Sequence, residues 1–315
     1  MIKRILCIGL FIGGLVHCSG DQNGETTGAG GQGGGAGGSS SSGGGGTNAG
    51  GGGEGGSLFP SGSGGGGGEC TPASAVETMC DGKDDDCNGR VDDVDTGKDG
   101  ICDCLRLGIL GSPGSNPSSN FQAWLAARGT SVERTHETPA EVFDAAFLDK
   151  YDVIILDRLA RAYTAQEASA LAAWVEMRGG FISMTGYTGQ AAPDFYTNTL
   201  LAPFGLEYQP GLYSEPVKMF AAHPVTAGLS SVTFLGGYLV KDLGGSGGTS
   251  AAIGSISAGP VAFAHERGKG RAVVWGDEWI EYDSEWKSIP EIEQLWVNII
   301  AWIGPQDSCQ VTVPN

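Results

Sequence analysis

The sequence predicts an α/β fold in which a parallel β-sheet is covered by helices on both faces. Strand and helix patterns alternate from residue 105 to about residue 304. The segment Tyr151–Asp157 is a near-continuous apolar run of strand length, which is typical of a strand buried on both faces. This βαβ repetition favours parallel strands joined by helices. An acidic, cysteine-rich segment and a glycine-rich segment precede the domain.

The elements are predicted in chain order from their apolar periodicity. Thr164 and Glu167 form a capping box, which sets the start of a long helix. Leu295, Trp296 and Ile299 recur at helical spacing, so the last helix buries one face in the core. The predicted elements are strand 106–111, helix 121–126, strand 131–135, helix 139–149, strand 151–157, helix 164–178, strand 181–184, a strand within 270–279 and helix 290–303.

Five segments of the domain together resemble a known superfamily. They are YDVIILD (151–157), GGFISMTG (179–186), HPVTAGL (223–229), GKGRAVVWGDEW (268–279) and LWVNIIAWIG (295–304). In this order they resemble the class I glutamine amidotransferase-like superfamily, with its ThuA-like branch nearest. The resemblance covers most of residues 105–304. It implies a flavodoxin-like sheet with any site at the carboxyl ends of the strands.

The residues exclude the amidotransferase reaction itself. Catalytic members of the superfamily place a nucleophilic cysteine on the turn after the strand that corresponds to Phe181–Met184. Here that turn reads Thr185-Gly186-Tyr187, and no cysteine lies between Cys104 and Cys309. Amidotransfer needs a thiolate activated by a neighbouring base. The sequence therefore favours a binding role for this domain and shows no catalytic triad.

Polar residues follow several predicted strands and form a candidate ligand-binding rim. Asp277 and Glu278 are the candidate catalytic pair, because two carboxylates beyond a buried strand could bind a sugar or a cation, or act as acid and base. They could equally cap a helix. If they are catalytic, their side chains should converge in one pocket with Asp157 or His136. The rim residues are Ser112, Asp157, Arg158, Thr185, Tyr187, Asp277, Glu278 and Trp279.

The segment Asp84–Asp95 has the spacing of an EF-hand calcium loop without its flanking helices. Oxygen-bearing residues stand at positions 1, 3, 5 and 9, and Gly89 stands at position 6. Asp95 replaces the bidentate Glu of position 12, which should weaken the site or change its geometry. The alternative is an acidic, solvated turn that binds nothing specific. The predicted ligands are Asp84, Asp86, Asn88, the backbone oxygen of Arg90, Asp92 and Asp95.

The run CDGKDDDCNGRVDD also resembles the acidic cysteine motif of MopE-type bacterial surface proteins. The resemblance covers only Cys70 to about Cys104, and that family is associated with copper. This segment offers carboxylate and amide oxygens but no imidazole. The residues themselves therefore predict Ca²⁺ rather than copper as the bound ion.

The first residues predict export. Lys3 and Arg4 precede a short apolar stretch, Ile5–Val16, and Leu15–Cys18 reads as a lipobox, so residues 1–18 form a predicted lipoprotein signal peptide with Cys18 as the lipidated residue. A plain secretory signal is the alternative. Residues 19–69 are a predicted disordered Gly/Ser-rich linker. We expect the membrane to be the partner of the lipid anchor, at the outer membrane or cell surface.

The mature chain carries six further cysteines, an even number that predicts disulfides in an exported protein. Five of them cluster, so at least one bridge must leave the cluster. A bond from Cys102 or Cys104 to Cys309 would join the predicted module (70–104) to the C-terminal tail (305–315) across the α/β domain (105–304). The six are Cys70, Cys80, Cys87, Cys102, Cys104 and Cys309.

Charge limits the class of partner. The formal net charge is −18, and residues 69–104 alone carry eleven acidic and three basic residues. That density favours cations and disfavours nucleic acid. Two functions follow as hypotheses. One is a lipid-anchored extracytoplasmic binding protein with an unknown ligand or surface partner. The other is an extracytoplasmic hydrolase acting on carbohydrate through Asp277 and Glu278.

Overall fold

The computed structural model describes residues 70–112, 118–135, 138, 141–187, 195–245, 247–286 and 289–314. The predicted signal peptide, Cys18, the predicted linker and His136 lie outside these residues. The strands are β1 (Arg106–Leu110), β2 (Ser131–Thr135), β3 (Val153–Asp157), β4 (Gly180–Met184), β5 (Leu206–Tyr208), β6 (Tyr213–Ser214), β7 (Met219–Phe220), β8 (Leu235–Gly237), β9 (Val240–Asp242), β10 (Thr249–Ile256), β11 (Gly259–Arg267) and β12 (Gly270–Trp275). The helices are α1 (Ser119–Ala127), α2 (Ala145–Leu148), α3 (Ala165–Met177), α4 (Thr197–Leu201) and α5 (Pro290–Ile303).

An eight-stranded sheet in the order β2-β1-β3-β4-β12-β11-β10-β7 forms the centre of the domain. The first five strands in this order are mutually parallel. With β12 as the fifth strand, their order is the 2-1-3-4-5 order of flavodoxin-like folds. The predicted fold class is therefore confirmed.

The other edge of the sheet departs from the prediction of a parallel sheet. Strands β11, β10 and β7 are antiparallel to their neighbours. Only residues 257–258 separate β10 from β11, and only residues 268–269 separate β11 from β12. Connections this short permit hairpins but not the helical crossover that a parallel neighbour needs. Two small antiparallel pairs, β5–β9 and β6–β8, accompany the sheet.

Three of the four predicted helices match closely, including helix 121–126, which the structure has as α1 (Ser119–Ala127), and one does not. The capping box of Thr164 and Glu167 is present at the start of α3, and α5 spans Pro290–Ile303. The predicted helix 139–149 is wrong over most of its described part, because α2 covers only Ala145–Leu148. Asp144 is extended and its side chain accepts a hydrogen bond from Phe147 N, so it caps the helix at that point. None of the described helices combines the length and the apolar character that crossing a membrane requires.

Each face of the sheet packs against helices. On one face, Phe121 of α1 meets Trp296 of α5 with ring centroids 4.3 Å apart. On the other face, Trp174 of α3 and Phe204 lie in a second cluster of buried residues. The sheet is thus covered on both sides, and the carboxyl ends of its parallel strands remain as the edge where a site can form.

Three disulfides organise the cysteine-rich segment. They join Cys70 to Cys87, Cys80 to Cys104 and Cys102 to Cys309. The predicted bond from Cys102 or Cys104 to Cys309 is confirmed, with Cys102 as the partner. Ile101 and Cys102 belong to the same buried cluster as α1 and α5. The end of the segment therefore packs directly on the α/β core.

Candidate functional site

The carboxylate of Asp84 closes the first turn of the predicted calcium loop, residues 84–89. Its Oδ1 accepts a hydrogen bond from Asn88 N at 3.0 Å, and its Oδ2 accepts one from Gly89 N at 2.8 Å. Asp86 Oδ1 also accepts from Asn88 N, at 3.0 Å. Gly89 has φ +86°, a left-handed conformation that glycine adopts without steric cost. The structure thus has a sharp turn at the glycine of the loop.

Glu77 joins Asp84 and Asp86 in a cluster that could hold a cation. One carboxylate oxygen of each residue lies within 4.8 Å of the other two. Glu77 is only 7% exposed; Asp85 N donates to its Oε1, and its Oε2 is buried with no hydrogen-bond partner. Burial raises the pKa of Glu77, against the opposing hydrogen bonds from the backbone of Asp85 and Asp86. A cation placed among these three carboxylates would supply the partner that the buried Glu77 Oε2 lacks.

The remaining predicted ligands have other hydrogen-bond partners. Asp92 Oδ1 accepts from the backbone N–H groups of Asp81 and Gly82, each at 2.9 Å. The Asn88 amide donates to Asp86 Oδ2, and its Oδ1 accepts from Arg90 N at 2.8 Å. Asp95 closes a second turn through Asp99 N and Gly100 N, both at 3.0 Å. Asp84 and Asp86 also accept backbone hydrogen bonds, but their oxygens lie within 4.8 Å of each other and of Glu77, so they are the predicted ligands that the structure brings together.

Two members of the cluster, Glu77 and Asp86, line a cleft that is open to solvent. The cavity has a volume of about 730 Å³ and is also lined by Asp93 and Asp95. Val311, Thr312 and Pro314 of the C-terminal tail form another wall. Four carboxylates, the groups that hard cations prefer, therefore line the cleft together with the cationic side chains of Arg90 and Lys98.

A second group of charged side chains is buried at the carboxyl ends of the parallel strands. Arg134 of β2 donates to Asp157 Oδ2 of β3 at 2.7 Å and to Glu281 Oε2 at 3.2 Å. Asp157 and Glu281 are fully buried, and one further oxygen of each has no hydrogen-bond partner. Burial raises the pKa of Glu281 well above its usual value, and the nearby Asp157 adds to this shift.

Asp277 and Glu278 lie in the same neighbourhood and are also buried. Asp277 accepts hydrogen bonds from Leu235 N and Trp279 N, and Glu278 Oε1 accepts from Tyr282 OH at 2.9 Å. Burial raises the pKa of Glu278 to about 7, and Asp157 contributes to that shift. Burial, with the Glu278 carboxyl second, raises the pKa of Asp277 well above its usual value. The catalytic hypothesis requires the two acids to converge in one pocket with Asp157 or His136. Glu278 lies close enough to Asp157 to feel its charge, but Asp157, Asp277 and Glu278 are only 0–4% exposed.

The other rim residues separate into buried and exposed positions. Thr185 is 2% exposed, whereas Tyr187 is 59% exposed. Ser112 follows Gly111, whose φ of +115° and contact with the Asp157 carbonyl leave no room for a Cβ. A Cβ on Gly186 would lie 1.4 Å from Glu278 Oε2, so this glycine permits the Glu278 carboxyl to rest on the turn after β4. The predicted rim is thus partly a closed polar network.

Sequence reasoning missed Glu77, Arg134 and Glu281. Glu77 lies outside the loop spacing, and its only signal is its place between Cys70 and Cys87, which a disulfide joins. Arg134 stands near the carboxyl end of a predicted strand, as Asp157 does. Because sites in such sheets form at the carboxyl ends of the strands, this position could have placed Arg134 on the rim. Glu281 is the last residue of the 3₁₀-helix Trp279–Glu281, which comes after β12. Nothing in the sequence around it indicates that it is buried.

Comparisons with known proteins found similar solved structures at low sequence identity. No protein-family model matches the chain, and no curated protein matches it. Among solved structures it is similar to a cytoplasmic protein of Salmonella typhimurium, with 16% identity and a TM-score of 0.48, over 64% of this chain and 100% of that one. It is also similar to a protein of Bacteroides uniformis described as ThuA-like, with 15% identity and a TM-score of 0.45, over 63% and 91% of the two chains.

A cold-adapted β-galactosidase from Rahnella sp. R3 is similar as well. The identity is 14% and the TM-score 0.42, over 62% of this chain and 30% of the enzyme. This chain thus overlaps less than a third of that enzyme. At these identities a residue's role does not transfer from one protein to another.

Proposed function

We propose that the chain is a lipid-anchored extracytoplasmic binding protein that holds one Ca²⁺ in its acidic module and uses its α/β domain to bind a ligand or surface partner. The main observation in favour of a calcium site is that Glu77 Oε2 is buried without a hydrogen-bond partner beside the carboxylates of Asp84 and Asp86. Carboxylates this close repel one another unless a proton or a cation lies among them. The cleft beside them admits a hydrated ion.

The composition of the site favours calcium over softer metals. All of the cluster's donors are carboxylate oxygens, and the nearby cysteines are paired in disulfides. Ca²⁺ takes six to eight oxygen ligands in a flexible geometry, so water and backbone oxygens would complete the shell. The segment also has little apolar content, so that an ion and disulfides supply much of its order.

Calcium titration of the purified, oxidised chain tests the proposal. We expect one ion to bind per chain, and Glu77→Gln to weaken binding by at least tenfold, because it removes a charged oxygen from the cluster. Asp85→Asn is the matched control: it removes an acidic charge from the same turn but not from the ligand cluster, so its effect should be several-fold smaller. Absence of heat at millimolar calcium, or equal effects of the two variants, would contradict the proposal.

The α/β domain is proposed as a binding domain because it lacks a nucleophile for acyl transfer. Residues 105–308 contain no cysteine, and the turn after β4 places Gly186 beneath the Glu278 carboxyl. Thr185 is the hydroxyl-bearing residue of that turn. A hydroxyl needs a positioned base to act as a nucleophile, and His223 and His265 lie away from the turn, on the segment before the 3₁₀-helix Pro224–Thr226 and on β11.

The lipid anchor rests on the sequence of residues 1–18. Changing Cys18→Ala should release the protein from the membrane fraction, because a lipidated cysteine is the predicted attachment. Fractionation of membranes, with the mass of the N-terminal peptide as a second readout, measures this. A wild-type N-terminal peptide without added lipid mass would remove the anchor from the proposal.

Glu278 supports a second candidate function, a carbohydrate hydrolase. A carboxyl with a pKa of about 7 next to other acids is suited to proton transfer at neutral pH. If this function holds, glycoside hydrolysis should disappear in Glu278→Gln and persist in Glu215→Gln, a partly exposed acid elsewhere on the domain that accepts hydrogen bonds from Ser257. Equal rates in the two variants, or no hydrolysis by the wild type, would exclude it.

A further inference from the structure

The acidic module contains two turns that use the same hydrogen bonds eleven residues apart. The first turn is residues 84–89, and the second turn is residues 95–100. In the first turn Asp84 accepts from the N–H groups of the fifth and sixth residues, at 3.0 and 2.8 Å. In the second turn Asp95 accepts from the equivalent N–H groups of Asp99 and Gly100, both at 3.0 Å.

The backbones of the two turns also match. The fourth residue of each is left-handed, Cys87 with φ 60° and Lys98 with φ 52°. The sixth residue of each is a left-handed glycine, with φ 86° at Gly89 and 84° at Gly100. Left-handed non-glycine residues are uncommon, so their recurrence at the same position indicates one local structure used twice.

In each turn a carboxylate also accepts a hydrogen bond from the backbone N–H of the second residue. Glu77 accepts from Asp85 N in the first turn, and Asp103 Oδ2 accepts from Thr96 N at 3.0 Å in the second. The second turn therefore assembles Asp95, Asp99 and Asp103, which is as many acids as the proposed calcium site of the first turn.

The two turns differ in what neutralises these acids. The third residue is Asp86 in the first turn and Gly97 in the second, and Asp99 Oδ2 lies 3.0 Å from where a Cβ on Gly97 would be. Arg128 Nε, from the end of α1, lies 3.5 Å from the same Asp99 oxygen. In the described residues the cluster suited to a metal is that of the first turn.

Arg128 is held firmly in this position from the side of the α/β domain. Its guanidinium stacks on the Trp124 ring, with Cζ 3.7 Å from the ring centroid. Its Nη2 donates to Glu293 Oε1 at 3.0 Å, and that oxygen also accepts from Trp124 Nε1. The Arg128 side chain is 16% exposed and that of Asp99 24%, so the pair is largely shielded from water. A guanidinium stays protonated at all physiological pH values.

We propose that the second turn is a cation-binding turn of the same kind as the first, whose cation is the guanidinium of Arg128 instead of a metal ion. A charge supplied by the chain fixes the module to α1 without any metal, whereas the first turn depends on an ion from solution. The chain therefore takes one metal ion and not two. This inference concerns the second turn, and its test is separable from calcium binding at the first.

The test restores a metal site to the second turn and counts the bound ions. Gly97→Asp supplies a carboxylate at the third position of the turn, where the first turn has Asp86, and Arg128→Gln removes the resident cation. By calorimetric titration with Ca²⁺ on the oxidised full chain, we expect one ion in the wild type, one in Gly97→Asp and two in Gly97→Asp/Arg128→Gln. An unchanged count in the folded double variant would overturn the proposal, and so would a second ion in Gly97→Asp alone.

Two further variants keep the result decisive. If the double variant does not fold, Gly97→Asp/Arg128→Lys replaces it. The flexible lysine ammonium cannot stack on Trp124 as the planar guanidinium does, so calcium should displace it. Failure of this variant to bind a second ion would again overturn the proposal. Adding Asp84→Asn and Asp86→Asn removes the first turn's site and should leave one ion in the double variant. A wild type that binds no ion beside a double variant that binds one would contradict only the calcium function of the first turn.

Discussion

The acidic module and the strand ends of the α/β domain both collect carboxylates, but they remove the charge in different ways. In the module, Glu77, Asp84 and Asp86 form one cluster, and Glu77 and Asp86 line a cleft that is open to solvent. At the strand ends, Asp157 and Glu281 are fully buried. There the negative charge is reduced by the Arg134 guanidinium and by the raised pKa of Glu281.

The difference follows from the cost of desolvation. Taking a carboxylate out of water favours its neutral form, which is why the pKa values of Glu278 and Glu281 are raised. In the module, Glu77 is buried as well, but Asp84 and Asp86 beside it remain partly exposed, so an ion from solution can reach their oxygens. The module is therefore suited to reversible ion binding, whereas the buried strand-end network is expected to respond to pH.

The largest expected effect tests how the module is attached. Replacing both Cys102 and Cys309 by Ala should lower the free energy of unfolding by about 5 kcal/mol in the chain-entropy model, because the bond closes a loop of 207 residues. Denaturant titration measures this. Replacing Cys70 and Cys87, only 17 residues apart, should cost about 3 kcal/mol and serves as the comparison. A larger loss from the short bridge would mean that loop closure does not dominate.

The next effect tests the buried network. Arg134→Met should lower the free energy of unfolding by about 3 kcal/mol, because it leaves Asp157 and Glu281 buried without their cation. The control is Arg106→Met, which removes a half-exposed partner of Asp152 and should cost about 1 kcal/mol or less. Chemical denaturation of both variants gives the comparison, and equal losses would show that burial does not set the strength of the pair.

The smallest effect is a pH dependence of the strand ends. The pKa of Glu278 is raised from 4.5 to about 7 in the folded chain, so unfolding releases its proton. Its contribution to stability is full below pH 4.5 and is lost as the pH rises to about 7, by up to ~1.4 kcal/mol per pH unit. The lowered pKa values of His223 and His265 act in the opposite direction.

The difference between the wild type and Glu278→Gln isolates this contribution from that of the histidines. Unfolding free energies of both proteins, measured from pH 5 to pH 7.5 with a chelator present, should converge or cross as the pH rises. A difference that grows in favour of the wild type over this range would contradict the raised pKa.

The sequence by itself determined the elements whose signals are local. The capping box at Thr164, helix α5 and the buried strand β3 follow from residues within a few positions of each other, as does the turn at Gly89. Their stabilising contacts recur at i+3, i+4 or alternate residues, which a single segment displays in full. With five of the six cysteines of residues 70–315 clustered between positions 70 and 104, complete pairing likewise required that one bridge leave the cluster.

Only the tertiary structure decided which distant residues meet. Arg134 and Glu281 are 147 positions apart. Glu77 meets Asp84 and Asp86 within the loop that the Cys70–Cys87 bond closes, where Ala73 N and Ser74 N also donate to Asp85 O. The antiparallel edge β11–β10–β7 depends on hairpin pairing rather than on apolar period. Arg128 looks like an ordinary helix-end residue until α1 packs beside the second turn. Such partners are chosen by packing and burial of the whole chain, so no single segment carries their pattern.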